Sequence, residues 1–417
     1  MRARQTHAPA RGALIIGGDY RGLGLVRGLG RRGIPVWVLA DDHRVAAVSR
    51  YARRVLTWPA GAESDQVAFL RRLATEHGLE GWTVFPTGDE TAALLSRNLA
   101  ALSEHYRLSV SPWEAMRWAY DKRLTHQLAA EVGVDVPRTY YPTRREQVAF
   151  VDYRFPVILK PAVKRQSNEF TRSKAWRVDG PVQLLERYDA ACGLIDPELV
   201  MVQELIPGDG DTQFSYGALC DEGRPLAWLT ARRIRQYPMD FGRFSTFVET
   251  VEAPQVESLA RRLLAARPFS GLVEVEFKFD RRDNRYKLLD LNPRVWGWHT
   301  LARRAGIDFP YLAWRLANGE PIPDLLARPG ARWVRFLPDL LVAVREIVAG
   351  RERFDSYLSA FRGPLEFAIF AADDPLPALC EIPLQMGRLG KRSASSLNLP
   401  AAESLTAQQP NRGVRDA

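Results

Sequence analysis

At 417 residues, with 46% hydrophobic and 26% charged side chains, the chain has the composition of a globular protein of two or three domains. Its formal charge of +9 is spread along the sequence, not gathered into basic blocks interleaved with aromatics, which favours an anionic small molecule over nucleic acid as ligand. Three cysteines without CxxC spacing offer neither a disulfide framework nor a zinc motif and fit a reducing cytoplasm, and neither a signal peptide nor a membrane span is expected.

Ala13–Ile16 reads as a buried strand that runs into Gly17-Gly18-Asp19, followed by a helical stretch over Leu23–Arg32 and a second strand over Ile34–Ala40. This βαβ unit predicts a parallel sheet. The glycines at 17, 18, 22 and 24 are not spaced as a clean GxGxxG, so they suit any ligand at the carboxyl edge of such a sheet. Strands and helices continue to alternate to about Val110, giving one doubly wound domain over 12–118.

Asp121 is placed to cap a helix whose apolar positions Leu124, Leu128 and Val132 share a face, with Gly133 as its stop. Lys122 then sits in the first turn, where the helix dipole does not favour a cation, so a partner elsewhere is expected. Only seven of the 58 basic residues are lysines, which singles out each one retained. Lys160 ends the apolar strand Phe155–Pro161, at the mouth of a polar loop, and Lys174 follows that loop; both positions suit phosphate oxygens. Leu199–Ile206 is a strand leaving the core into the turn Pro207–Asp211. Strict alternation over Thr230–Gln236 sets Arg233 and Arg235 on one face, either as an anion clamp or as a solvated edge.

Gly271–Arg294 reads as a hairpin about the charged turn Asp280–Asn284. Glu274 and Glu276 share one face of its first strand, and Asp290 and Asn292 one face of its second. If the two faces coincide, hard oxygen donors gather beside Arg294, a set suited to Mg²⁺ and a phosphate; the same residues also fit an ordinary hairpin with a solvated charged face. His299 beside Trp298 belongs to no Ser/His/Asp or Cys/His constellation. A small helical and mixed region is expected over 326–390 and a polar, disordered tail over 391–417.

Asp121-Lys122, Ile158-Leu159-Lys160-Pro161, Gln203-Glu204-Leu205-Ile206-Pro207-Gly208 and Asp290-x-Asn292-Pro-Arg294, in this order and spacing, resemble the ATP-grasp superfamily and in particular its ATP-dependent carboxylate–amine or thiol ligases. The resemblance covers roughly Ile15–Leu316. It implies an α/β plus α+β fold: an N-terminal doubly wound parallel-sheet domain, then a two-lobed ATP-grasp domain over 119–325. It also implies ATP with Mg²⁺ (or Mn²⁺) and small-molecule carboxylate and amine substrates, with a homodimer compatible and no nucleic acid or stable membrane insertion.

By the same resemblance, Lys122, Lys160 and Lys174 bind the phosphates of ATP. Glu204 and the backbone at Ile206 lie at the adenine edge, and Asp211 or Gln213 faces the ribose. Glu276, Asp290 and Asn292 hold the metal, with Glu274 in support. Arg294, Lys160 and Arg235 serve the chemistry. Asp290 stands where the family usually has glutamate, and Val163–Asn168 has no glycine where the family has a glycine-rich loop. The competing readings are an ATP-binding regulator without catalysis and, from the first βαβ unit alone, a nicotinamide-dependent oxidoreductase.

Overall fold

The computed structural model describes residues 11–163, 168–173, 175–237, 239, 242 and 244–397, with side chains as far as Met386. Lys164, Arg165 and Lys174 lie outside the described residues, as does the sequence from 398 onward. The last helix, Leu376–Leu397, continues past position 391, where the polar tail was expected to begin.

Three sheets organise the chain. The first comprises β1 (Ala13–Ile16), β2 (Val36–Ala40), β3 (Ala52–Thr57), β4 (Thr83–Pro86) and β5 (Arg107–Leu108), in the order β3-β2-β1-β4-β5. All its pairs are parallel, as the alternation with helices requires. β1 is buried along its whole length, which is why it reads as a continuous apolar run. The order of the strands reverses between β1 and β4, so the turns after these two strands open a crevice at the carboxyl edge. Gly17 adopts φ +123° in the first turn, and a Cβ there would overlap the Thr87 hydroxyl of the second.

The second sheet is antiparallel, ordered β6-β9-β7-β8, from β6 (Thr139–Tyr140), β7 (Val157–Pro161), β8 (Trp176–Val178) and β9 (Val200–Glu204). Its own core includes Val157, Leu159, Phe170, Tyr188 and Val202.

The third and largest sheet contains β10 (Gln213–Asp221), β11 (Arg224–Tyr237), β12 (Phe244–Thr250), β13 (Gly271–Asp280), β14 (Arg285–Asn292), β15 (Leu325–Leu326), β16 (Arg332–Val334) and β17 (Leu365–Phe367). The order is β14-β13-β10-β11-β12-β16-β17, with β15 on β11. The C-terminal region therefore supplies two strands to the central sheet. One face of this sheet shares a core with the N-terminal domain: Leu23, Leu25 and Val26 of the helix Tyr20–Gly30 join Leu229, Trp296, Phe309 and Trp333 in one buried cluster. Trp296 presses so closely on β10 that a Cβ at Gly217 would lie 2.4 Å from its ring.

Candidate functional site

The hairpin register decides how the oxygen donors face. β13 and β14 pair antiparallel with Glu274 opposite Asn292 and Glu276 opposite Asp290, so the two alternating sets share one face. A bulge after Glu276 restores the ladder beyond it. The Asn292 amide donates to Glu276 Oε1 at 3.0 Å and to Glu274 Oε2 at 3.1 Å, which turns its oxygen toward Arg294. All four donors are buried even though three are acids, and each is met by a protein donor.

Those donors arrive from several elements. Lys122, at the start of the helix Lys122–Glu131 that Asp121 caps, reaches Asp290 Oδ1 at 2.7 Å. This is the remote partner that its unfavourable place in the first turn called for. Burial opposes the Lys122 charge, but the Asp290 carboxylate outweighs it and holds the ammonium above its usual range. Arg233 of β11 meets Glu276 Oε2 at 2.7 Å, and Gln213 of β10 donates to the same oxygen at 3.0 Å. Trp298 Nε1 donates to Glu274 Oε1 at 3.0 Å.

Two hollows meet at these carboxylates. A cleft of about 490 Å³ opens between the carboxyl edge of the parallel sheet and the hairpin, and its lining includes Asp19, Asp89, Arg233, Trp298 and Arg294. A narrower slot runs between the second sheet and the hairpin, lined by Ile158, Lys160, Gln203, Ile206 and Lys278 among others. Glu276 and Asp290 line both hollows. Arg294, at the end of the hairpin, is 2.7 Å from Asp89 at the start of the helix Asp89–Arg97, which ties the hairpin to the N-terminal domain. At the inner end of the slot the buried Lys160 reaches Gln203 Oε1 at 3.4 Å.

The structure thus brings together Lys122, Lys160, Glu204, Ile206, Gln213, Glu276, Asp290, Asn292 and Arg294 around the two hollows. Glu204 offers the slot little carboxylate: its oxygens take the Arg138 N–H at 2.9 Å and Arg282 at 3.0 Å. Asp211 is not among the lining residues; it pairs with Arg281 at the surface at 2.9 Å.

Arg235 is a correction. Strict alternation set it beside Arg233, but β11 bulges between them, with Arg233 opposite Val248 and Arg235 opposite Phe247. Arg235 therefore lies away from the cleft, gripped by Asp339 at 3.0 and 2.9 Å and by Glu352 at 3.0 Å, with its guanidinium over the rings of Phe247 and Tyr357. Arg233 takes the place beside Glu276. Lys278 in the slot was not assigned from the sequence, although it continues the Glu274, Glu276 alternation and is one of the few lysines.

The donor set suits a magnesium ion in part. Two carboxylates and an amide are hard oxygen ligands, and Mg²⁺ in phosphate-transferring sites is held by one or two carboxylates together with substrate phosphates. Among the described residues no group of three or more His, Cys, Asp or Glu side chains is arranged to hold a metal by itself.

Comparison with known proteins gives the same picture. Residues 198–334 match the family described as ATP-grasp in the biosynthetic pathway with Ter operon. A D-aspartate ligase of Enterococcus faecium is 24% identical over 305 residues, 67% of this chain and 70% of that one. An L-amino acid ligase from Bacillus licheniformis superposes with a TM-score of 0.56 at 16% identity, covering 75% of this chain and 74% of that one. The biotin carboxylase domain dimer of Hydrogenobacter thermophilus 2-oxoglutarate carboxylase, in complex with MgADP, ADP and bicarbonate, superposes with a TM-score of 0.58 at 14% identity over 76% of this chain and 73% of that one. The fold is the ATP-grasp fold.

Proposed function

We propose that this ATP-grasp chain is a ligase that activates a carboxylate with ATP and joins it to an amine, releasing ADP and phosphate. The observation that carries the reading is the meeting of a narrow slot and a polar cleft at Glu276 and Asp290, with a lysine and an arginine already on those carboxylates. The D-aspartate ligase and L-amino acid ligase relatives favour an amino acid as one substrate.

The chemistry follows from what the two hollows hold. A carboxylate is a poor electrophile because its leaving group is oxide. Transfer of the γ-phosphoryl group to a carboxylate oxygen releases ADP and leaves an acyl phosphate. The amine nitrogen then attacks the acyl carbon, the C–O bond to phosphate breaks, and the nitrogen loses a proton as the amide forms. Such transfer asks chiefly for alignment and for neutralised charge, so no protein nucleophile is required.

In this reading Lys122 and Lys160 hold phosphate oxygens, and Gln213 faces the nucleotide in place of Asp211. The backbone at Ile206, with Glu204 beside it, forms the adenine edge. Glu276, Asp290 and Asn292 would hold Mg²⁺ jointly with the nucleotide. When bound, the ion would neutralise charge on the phosphates. Arg233, anchored on Glu276, faces the transferred phosphoryl group, and Arg294, anchored on Asp89, faces the acyl phosphate. Free cysteines, and the lack among the described residues of any helix able to cross a membrane, support a cytoplasmic setting.

The test is ADP release from Mg-ATP over pairs of amino acids and related carboxylates, with mass spectrometry of the products. A ligase gives ADP only when both partners are present, and a product lighter than their sum by one water. Nucleotide binding without turnover on any pair would favour the regulator.

A further inference from the structure

Among the described residues three arginines line the cleft: Arg21, Arg233 and Arg294. The last two belong to the central sheet and touch the hairpin, at Glu276 and Asn292. Arg21 stands on the opposite wall, in the first turn of the helix Tyr20–Gly30, and the proposed chemistry gives it no task. It is nevertheless held in place. Asp19 caps the helix with Oδ1, which accepts the Arg21 and Gly22 N–H groups at 3.0 and 3.2 Å. Its Oδ2 takes the guanidinium, from Nε at 2.7 Å and from Nη2 at 2.6 Å. One carboxylate therefore fixes both the helix start and the direction of the arginine.

A guanidinium presents five N–H donors in a rigid fork. Asp19 occupies one edge of this fork, and Nη1 has no partner among the described residues. The side chain stays 27% exposed within the cleft. An arginine gripped on one edge and open on the other is preorganised for a planar oxyanion.

Position and charge choose that oxyanion. Arg21 follows β1 and Asp89 follows β4, which are adjacent strands with Ile16 opposite Pro86. Asp89 binds Arg294 at 2.7 Å, and its charge also acts on Arg21. The two arginines thus share the neighbourhood of one carboxylate. That is the scale of a single amino acid, whose nitrogen lies about 2.5 Å from its carboxyl carbon. The wall formed by the N-terminal domain carries Asp19, Asp41, Asp89 and Glu90 against Arg21, and Arg294 offsets one of these acids from across the cleft. Such an excess repels a dianionic phosphate and favours a monoanion that also bears an ammonium.

We propose that Arg21 binds the carboxylate of an α-amino acid that serves as the amine acceptor, with its ammonium beside Asp89. The acceptor role rests on the ligase reading, whereas the carboxylate site does not. The nitrogen is then directed toward the acyl phosphate at Arg294. The product keeps the acceptor's carboxyl group free, and amines without a carboxylate are poor acceptors.

Trp58, Trp298 and Trp333 line the cleft, so tryptophan fluorescence reports its occupancy. The full-length chain with Mg-ADP is titrated with glycine, the L-amino acids, D-alanine and D-aspartate, each beside its α-carboxamide, and with inorganic phosphate. At least one amino acid binds wild type ~30-fold or more tighter than its carboxamide, the scale of hydrogen bonds to a charged group. Arg21→Met removes this preference and leaves the affinity for Mg-ADP unchanged. Arg21→Lys, which keeps the charge without the fork, retains part of it. The comparison of acid with carboxamide in wild type needs no variant to fold. A wild type that prefers no amino acid over its carboxamide, or a preference that survives in Arg21→Met, overturns the proposal. Tighter binding of inorganic phosphate overturns it in favour of a phosphate-bearing substrate. ADP release from Mg-ATP tests the ligase reading separately. Turnover that uses acid and carboxamide alike removes the site and keeps the reaction; binding that depends on Arg21 without turnover keeps the site and removes the reaction.

Discussion

At the scale of single residues, two arginines on one strand illustrate how much depends on one bulge. Arg233 and Arg235 are both buried and both paired, yet one faces the carboxylates of the hairpin and the other Asp339. Their substitutions separate accordingly. Arg233→Met should lower the rate of ADP release per folded molecule ~100-fold or more, as losing one preorganised contact to a developing charge does, and should also destabilise the fold because Glu276 is left buried without its guanidinium. Arg235→Met should leave kcat per folded molecule unchanged but destabilise the fold by ~3–5 kcal/mol, because Asp339 is left buried without its partner. Equal loss of turnover in both variants, measured on the folded fraction, would refute the separation. Two histidines set the pH response of the fold. Burial, and for His126 the neighbouring Lys160 and Lys122, push His126 and His299 down to about 4. Each is neutral in the folded chain while its unfolded counterpart takes up a proton near pH 6.5. Their contribution is thus fully present above pH 6.5 and is lost as pH falls toward 4. Urea unfolding midpoints should drop across that window, and His299→Gln should flatten the drop.

At the scale of elements, the hairpin β13–β14 was legible because a strand has a period of two and its turn is charged. Acids at 274 and 276, and Asp290 and Asn292 opposite, could face one another in only a few registers. What fixes the register is the turn: Asp280, fully buried, accepts from the Arg282 backbone at 3.0 Å and its side chain at 2.8 Å, and from Lys287 at 2.7 Å, while Asn284 takes φ +56°. Arg282 and Lys287 hold the Asp280 carboxyl well below the usual range. Asp280→Ala should therefore cost ~3 kcal/mol or more and loosen the hairpin. Hydrogen exchange at the amides of β14 would report this, and protection equal to wild type would count against it. The parallel sheet was legible for a similar reason, since its strands are continuous apolar runs punctuated by glycine. The bulge in β11 was not, because Ile234 carries no turn chemistry and only pairing with β12 shows that a residue has been inserted. Asp211 was misplaced because a ribose contact and a surface ion pair require the same residue type.

At the scale of the whole molecule, the four regions marked out by sequence do not each own a core. The helix Tyr20–Gly30, the segment around Trp296 and Phe309, and β16 are buried in one cluster, so the N-terminal domain and the central sheet hold up the cleft from both sides. The C-terminal region closes this arrangement through two adjacent aspartates. Asp374 accepts from Arg27 at 2.9 Å, from the Ser49 hydroxyl at 2.6 Å and from the Arg50 N–H at 3.0 Å, while Asp373 takes Arg31 and Tyr51. No signal in the sequence linked residues so far apart, because an ion pair leaves no local pattern. Shared burial and this clasp imply that the N-terminal domain cannot melt before the sheet it covers. Calorimetry should therefore show one cooperative transition for the N-terminal domain and the central sheet. Asp374→Ala, which leaves Arg27 buried without a counter-charge, should lower that transition as a unit by the equivalent of ~3–5 kcal/mol. Mg-ATP should raise the same transition in both proteins, since a ligand held by the central sheet stabilises whatever unfolds with it. A separate N-terminal transition, insensitive to Mg-ATP, would show that the shared core does not couple the two sides of the cleft.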